Sequence, residues 1–149
     1  MNSAKSIEVL NELIELNNDR IEGYRTALKE TDEPRLISLF SQFMETSKTC
    51  KQELISELQK FGGKPIEGTS TAGKVFRVWM DIKAALTGKI YKEILASCEY
   101  GEDVAVSTYY NLLLDHRDGI TSVQEAMLNK QYLLLKAEHD KVKGLRDAL

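Results

Sequence analysis

Residues 91–112, YKEILASCEYGEDVAVSTYYNL, decide the fold. Tyr91, Leu95, Cys98, Glu102, Ala105, Tyr109 and Leu112 recur at alternating steps of four and three. That is the spacing of a helix face buried in a bundle. Every position on the seam is apolar or semi-polar except Glu102. A carboxylate aimed into a core is costly unless a metal, a cation or hydrogen bonds hold it.

Working outward, a first helix is expected over residues 3–29, with Ile7, Leu10, Ile14, Asn17, Ile21, Tyr24 and Leu28 on its seam. Asp32 and Pro34 predict a cap and a first-turn proline for a second helix. That helix carries Leu36, Phe40, Phe43, Ser47, Cys50, Leu54, Leu58 and Phe61 before Gly62-Gly63-Lys64-Pro65 stops it. Residues 66–72 read as irregular, with Ser70 capping a short helix beyond them. Val75 or Phe76, Trp79, Ile82 and Leu86 predict that helix as amphipathic and ended by Thr87-Gly88, with Trp79 as its docking anchor. The helix containing the opening stretch spans about 89–115. Arg117-Asp118-Gly119 reads as a tight turn. A last helix over 120–146 presents Val123, Met127, Gln131, Leu134, Glu138, Val142 and Leu145 inward. The outer connections are short and the middle one is long and partly helical. The expected architecture is therefore all-α: one ferritin-like four-helix bundle over residues 1–149, in up-down-down-up order, with a short helix in the long crossover.

The 149-residue chain carries 29% charged and 42% hydrophobic residues, the balance of a globular domain. A net charge of −3 with both signs interspersed argues against nucleic acid as a partner. No apolar run approaches the ~18 residues of a membrane span, and the chain opens on a charged, periodic helix without a signal-peptide pattern. A cytoplasmic location is expected. Two cysteines, Cys50 and Cys98, are too few for a disulfide framework or a zinc site.

A resemblance rests on Leu10-Asn11-Glu12-Leu13-Ile14, Asp19 and Gly23-Tyr24 in the first helix. It continues through Glu53-Leu54, Gly62-Gly63 and Pro65, then Gly73, Arg77 and Trp79. Cys98-Glu99-Tyr100-Gly101-Glu102-Asp103 is its most specific run, followed by Tyr109, Gln131, His139-Asp140 and Leu145-Arg146. On these residues the chain resembles an uncharacterised bacterial family of four-helix-bundle proteins in the ferritin-like superfamily. The resemblance implies the fold over nearly the whole chain and supplies no catalytic residue.

Di-iron members of that superfamily place Glu on two helices and Glu-x-x-His on the other two. Here Asn17, Ser47-x-x-Cys50, Glu102 and Gln131-x-x-Leu134 fall within one turn of a common layer. One carboxylate remains and neither histidine, too few anionic oxygens for two hard cations. The expectation is a structural polar layer of Asn17, Ser47, Glu102 and Gln131. In it the two amides donate to Glu102 and Ser47 completes the set. No cofactor and no catalytic residue are expected. The alternative is an iron or manganese site using Glu102, Cys50, Asn17 and Gln131, in an oxidoreductase or iron-handling protein.

Other features read as ordinary. Gly68 to Val75 nearly matches a phosphate-binding loop but ends in Val and comes after no strand. His116 falls at a turn and His139-Asp140 on a helix surface. Cys50 and Cys98 read as small core residues at levels too far apart to bridge. Glu22, Glu53, Glu57, Glu99 and Asp103 flank the seams as solvated or ion-paired positions. The expected function is non-enzymatic association with itself or a protein partner, without nucleic acid or membrane. The crossover helix and the exposed stripes Leu13, Leu16, Ile37 and Leu133 are the expected interface.

Overall fold

A computed structural model of the chain describes residues 3–71, 73–115 and 119–149, without the side chains of Ser3 and Lys74. Five helices succeed one another: α1 (Ser3–Glu30), α2 (Pro34–Gln59), α3 (Gly73–Gly88), α4 (Tyr91–Asp115) and α5 (Ser122–Asp147). Among the described residues there is no strand. No helix is long and apolar enough to cross a membrane.

Local chemistry sets the ends. Glu33, not Asp32, caps α2: its backbone is extended, its carboxylate accepts from the Arg35 N–H, and Pro34 occupies the first turn. Beyond α2, Gly62 takes a positive φ of 72°, which glycine adopts without a steric penalty. Thr121 caps α5 in a reciprocal box with Gln124. The expected start at residue 120 therefore moves to Ser122. His116, Arg117 and Asp118, including most of the expected turn, lie outside the described residues.

Cross-helix contacts give the packing. Arg20–Ser47, with Tyr24 against Phe40 and Phe43, joins α1 to α2. Tyr109–Gln131 and His139–Asp103 join α4 to α5. Thr46–Glu138 and Glu53–Gln131 join α2 to α5, and Asn17–Tyr109 and Arg20–Glu102 join α1 to α4. In each pair the numbers rise along one helix as they fall along the other, so each of these pairs is antiparallel.

The crossover lies on α1 and α4 through small residues. A Cβ at Gly23 would overlap the Trp79 ring, and one at Gly101 would lie 2.8 Å from Val78. Val78, Ile82 and Leu86 are buried beneath α3. The preceding loop is clasped by α1. Asn11 donates to the Lys64 carbonyl and accepts from the Ile66 N–H. Asn18 donates to the carbonyls of Ile66 and Gly68. α3 begins at Gly73, three residues beyond Ser70, so Ser70 does not stand at the expected cap position, and its N–H and hydroxyl donate to Asp19 instead.

α1 is buried on more than one face. Residues 16–21 are all buried, whereas a one-sided amphipathic helix would expose two or three of them. Leu13 and Leu16, expected on an exposed stripe, are 0% and 5% exposed. Ile37 and Leu133 are indeed exposed. On α5 the buried face is Gln124, Leu128, Gln131, Leu135, Glu138 and Val142. It departs from the expected face in the first half, leaving Val123 and Leu134 exposed. Adjacent apolar residues at 127–128 and 133–135 allow either register. Gln131 and Glu138 belong to both faces, and the core takes Leu128 and Leu135 rather than Met127 and Leu134.

Candidate functional site

Two apolar clusters fill the bundle, one around Leu10, Leu54 and Tyr109, the other around Tyr24, Phe40 and Leu95. Between them, in sequence order along α1, α2 and α5, lie buried polar residues: Asn17 and Arg20, Ser47, and Gln131 and Glu138. Glu102 joins them from α4, 1% exposed.

The centre of this layer is Arg20, 2% exposed. Its Nη2 lies 3.0 Å from both oxygens of Glu102 and 2.9 Å from Glu138 Oε1. Nη1 donates to Ser47 Oγ at 2.6 Å, and Nε reaches Glu102 Oε1 at 3.3 Å. The Tyr24 hydroxyl donates to the same Glu102 oxygen. Thr46 donates to the other oxygen of Glu138 at 2.5 Å. The guanidinium also lies 5.5 Å and 5.7 Å from the ring centroids of Tyr24 and Phe43. Arginine suits this place because its planar fork satisfies several acceptors at once.

Burial opposes the charge on Arg20, but the Glu102 carboxylate, Tyr24 and Glu138 more than offset it and hold its pKa above the ordinary value. Burial raises the Glu138 carboxyl, with Arg20 and Thr46 pulling the other way. Burial and the Glu102 carboxylate lift the Tyr24 phenol well above its ordinary range. Tyr24 is therefore a donor at neutral pH.

A second chain runs beside the first. Asn17 donates to the Leu13 carbonyl and the Tyr109 hydroxyl. Tyr109 donates to Gln131 Oε1 at 2.7 Å. Gln131 in turn donates to the Cys50 carbonyl and to Glu53. The Asn17 and Asn18 side-chain oxygens are buried without a partner among the described residues.

The four expected layer residues are thus sorted into two groups. Ser47 and Glu102 meet through Arg20, and Asn17 and Gln131 meet through Tyr109. The amides do not donate to Glu102 as expected, because a guanidinium and a phenol already hold it. The sequence reading put Asn17, Ile21 and Tyr24 on the seam of the first helix and did not single out Arg20. The available signal was spacing: Arg20 lies three residues after Asn17 and four before Tyr24, on the same face. Glu138 stood on the expected inner face, but its partner did not.

A di-metal centre does not fit this donor set. The carboxylates of Glu102 and Glu138 converge on a side-chain cation, and among the described residues no group of three His, Cys, Asp or Glu is placed to hold a metal. His139 instead bonds Asp103 and Asp140 at the flank of the bundle. Of the remaining candidate ligands, the Cys50 thiol is pushed up to about 12, chiefly by burial. Cys98 is raised by burial and by Glu102. Both thiols are buried and free, and neither is activated as a nucleophile.

The model of a family described as a domain of unknown function, DUF2383, matches residues 5–115. The chain belongs to that family. No curated protein matches it. The DUF2383 match spans α1 to α4 and so contains Arg20, Tyr24, Ser47 and Glu102. Gln131 and Glu138, contributed by α5, lie beyond the matched residues.

Proposed function

We propose that this DUF2383 protein is a ferritin-like bundle in up-down-down-up order that works without a di-metal centre and acts by associating with itself or a protein partner. The observation that carries the reading is the Arg20 guanidinium, placed among Glu102, Glu138 and Ser47. It supplies the positive charge that carboxylates in such a core require. The four antiparallel helix pairs support the order of helices. Buried, protonated thiols and a histidine tied to surface carboxylates support a non-enzymatic role. Val123, Leu133, Tyr110 and Leu114 supply exposed apolar surface on α4 and α5.

The deciding experiment measures the metal content of purified protein, its thermal melt with added Fe(II), Mn(II) or Zn(II), and its mass by light scattering at micromolar concentration. The expected result is protein without bound metal, an unchanged melting point and self-association. Stoichiometric iron or manganese lost on Glu102→Gln would replace this reading with a metal-dependent oxidoreductase or iron-handling protein. A monomer that captures no partner would remove the association half.

A further inference from the structure

A groove of about 200 Å³ runs between α1 and α3. Asp19, Glu22 and Glu30 line it from α1, and Phe76, Trp79 and Met80 from α3. Thr69 and Ser70 complete part of the wall. Gly23 leaves room for Trp79 to lie close against α1. Phe76 and Met80 remain 39% and 49% exposed, so apolar surface is available at its mouth.

Asp19 is the unusual member. It is 4% exposed, and its carboxylate accepts two hydrogen bonds, both from Ser70 and both 2.7 Å long. Among the described residues no Lys, Arg or His pairs with it, whereas Glu102 and Glu138 share Arg20. Burial raises the Asp19 carboxyl, and Glu15 adds to that rise. Lys83 is the cation in the described lining, against three carboxylates. Arg25 lies outside the lining and pairs with Glu22.

We propose that this groove binds a small organic cation, an aromatic or alkyl ammonium, with its charge beside Asp19 and its apolar body against Trp79, Phe76 and Met80. An ammonium there supplies the charge that no described Lys, Arg or His brings to the buried carboxylate, in a setting less screened than water. Aromatic faces favour a cation over a neutral or anionic group of the same shape. The proposal is independent of the proposed function, because Arg20 and its partners do not line the groove.

The chain has one tryptophan, Trp79, so its emission reports occupancy directly. Titrations would compare 2-phenylethylammonium and n-hexylammonium with 2-phenylethanol and phenylacetate. An ammonium is expected to give a saturable change with Kd on the order of 0.1–1 mM. The alcohol and the carboxylate should bind at least about tenfold more weakly. Asp19→Asn should weaken ammonium binding by about tenfold or more. Met80→Lys, a change at an exposed position, should do the same through like charge, and it decides the matter if Asp19→Asn does not fold. Three outcomes overturn the proposal: no saturable change with either ammonium up to roughly 10 mM, an alcohol that binds as well as the ammonium, or Met80→Lys binding unchanged.

Discussion

Arg20 holds three helices to its own. Its partners come from α2, α4 and α5, so removing it leaves two carboxylates buried without a cation. Arg20→Met is expected to cost roughly 3–5 kcal/mol in urea unfolding. Adding Glu102→Gln and Glu138→Gln should recover at least about 2 kcal/mol, because the uncompensated charges go with them. Equal stability of the single and triple variants would mean that charge is not what the guanidinium provides. Arg20→Lys should also destabilise, since a single ammonium does not reproduce the fork. Glu138 adds a pH test. Its folded pKa is raised above the ordinary 4.5, with burial as the largest cause. The stability tied to its protonation is therefore fully present below the unfolded value and lost as pH rises through the folded one. The stability advantage of wild type over Glu138→Gln should shrink as pH rises from about 4 to 7, and an advantage that grows would contradict the assignment.

At the scale of elements, α3 is the piece whose close approach to its neighbours runs through two glycines. It meets α1 at Gly23 and α4 at Gly101, and the two glycines differ in what a side chain would strike. At Gly23 a methyl group meets the Trp79 ring, and at Gly101 it meets Val78. The ring also packs edge-on against Tyr24, with centroids 4.9 Å apart, which limits its retreat. Gly23→Ala is expected to destabilise by about 2–3 kcal/mol and to shift Trp79 emission toward that of an exposed indole. Gly101→Ala should cost less, about 1 kcal/mol, because Val78 meets it with one methyl group. Unchanged emission in Gly23→Ala would show that α1 yields instead of α3.

For the molecule as a whole, the polar layer and the crossover divide the stability unevenly. α1, α2, α4 and α5 share two apolar clusters and the Arg20 network. α3 adds Val78, Ile82 and Leu86 to one of those clusters and relies on side-chain clasps from Asn11, Asn18 and Asp19 to anchor the loop before it. Hydrogen exchange should therefore show α3 amides opening at lower free energy than amides near the middle of α2 and α4. Equal protection throughout would mean that the crossover and the bundle unfold as one unit.

The number of helices, their approximate limits and the central seam of residues 91–112 were legible from the amino-acid order. They result from periodicity and from turn residues such as Gly62, Pro34 and Gly88, which act over a few neighbours. The carboxylate at Glu102 was legible for the same reason, since its place on the seam is a local fact. Three things came only with the tertiary structure. Leu13 and Leu16 entered the core cluster shared by α1, α2, α4 and α5, while the loop before α3 engaged Asn18 and Asp19. Packing chose between adjacent apolar residues on α5. Glu102 took Arg20 and Tyr24 as partners instead of the amides. Each depends on which side chains meet across helices that are far apart in the chain. A residue as long as arginine reaches a partner several ångströms from its own backbone, so spacing along one helix identifies the group that needs a partner without identifying the partner.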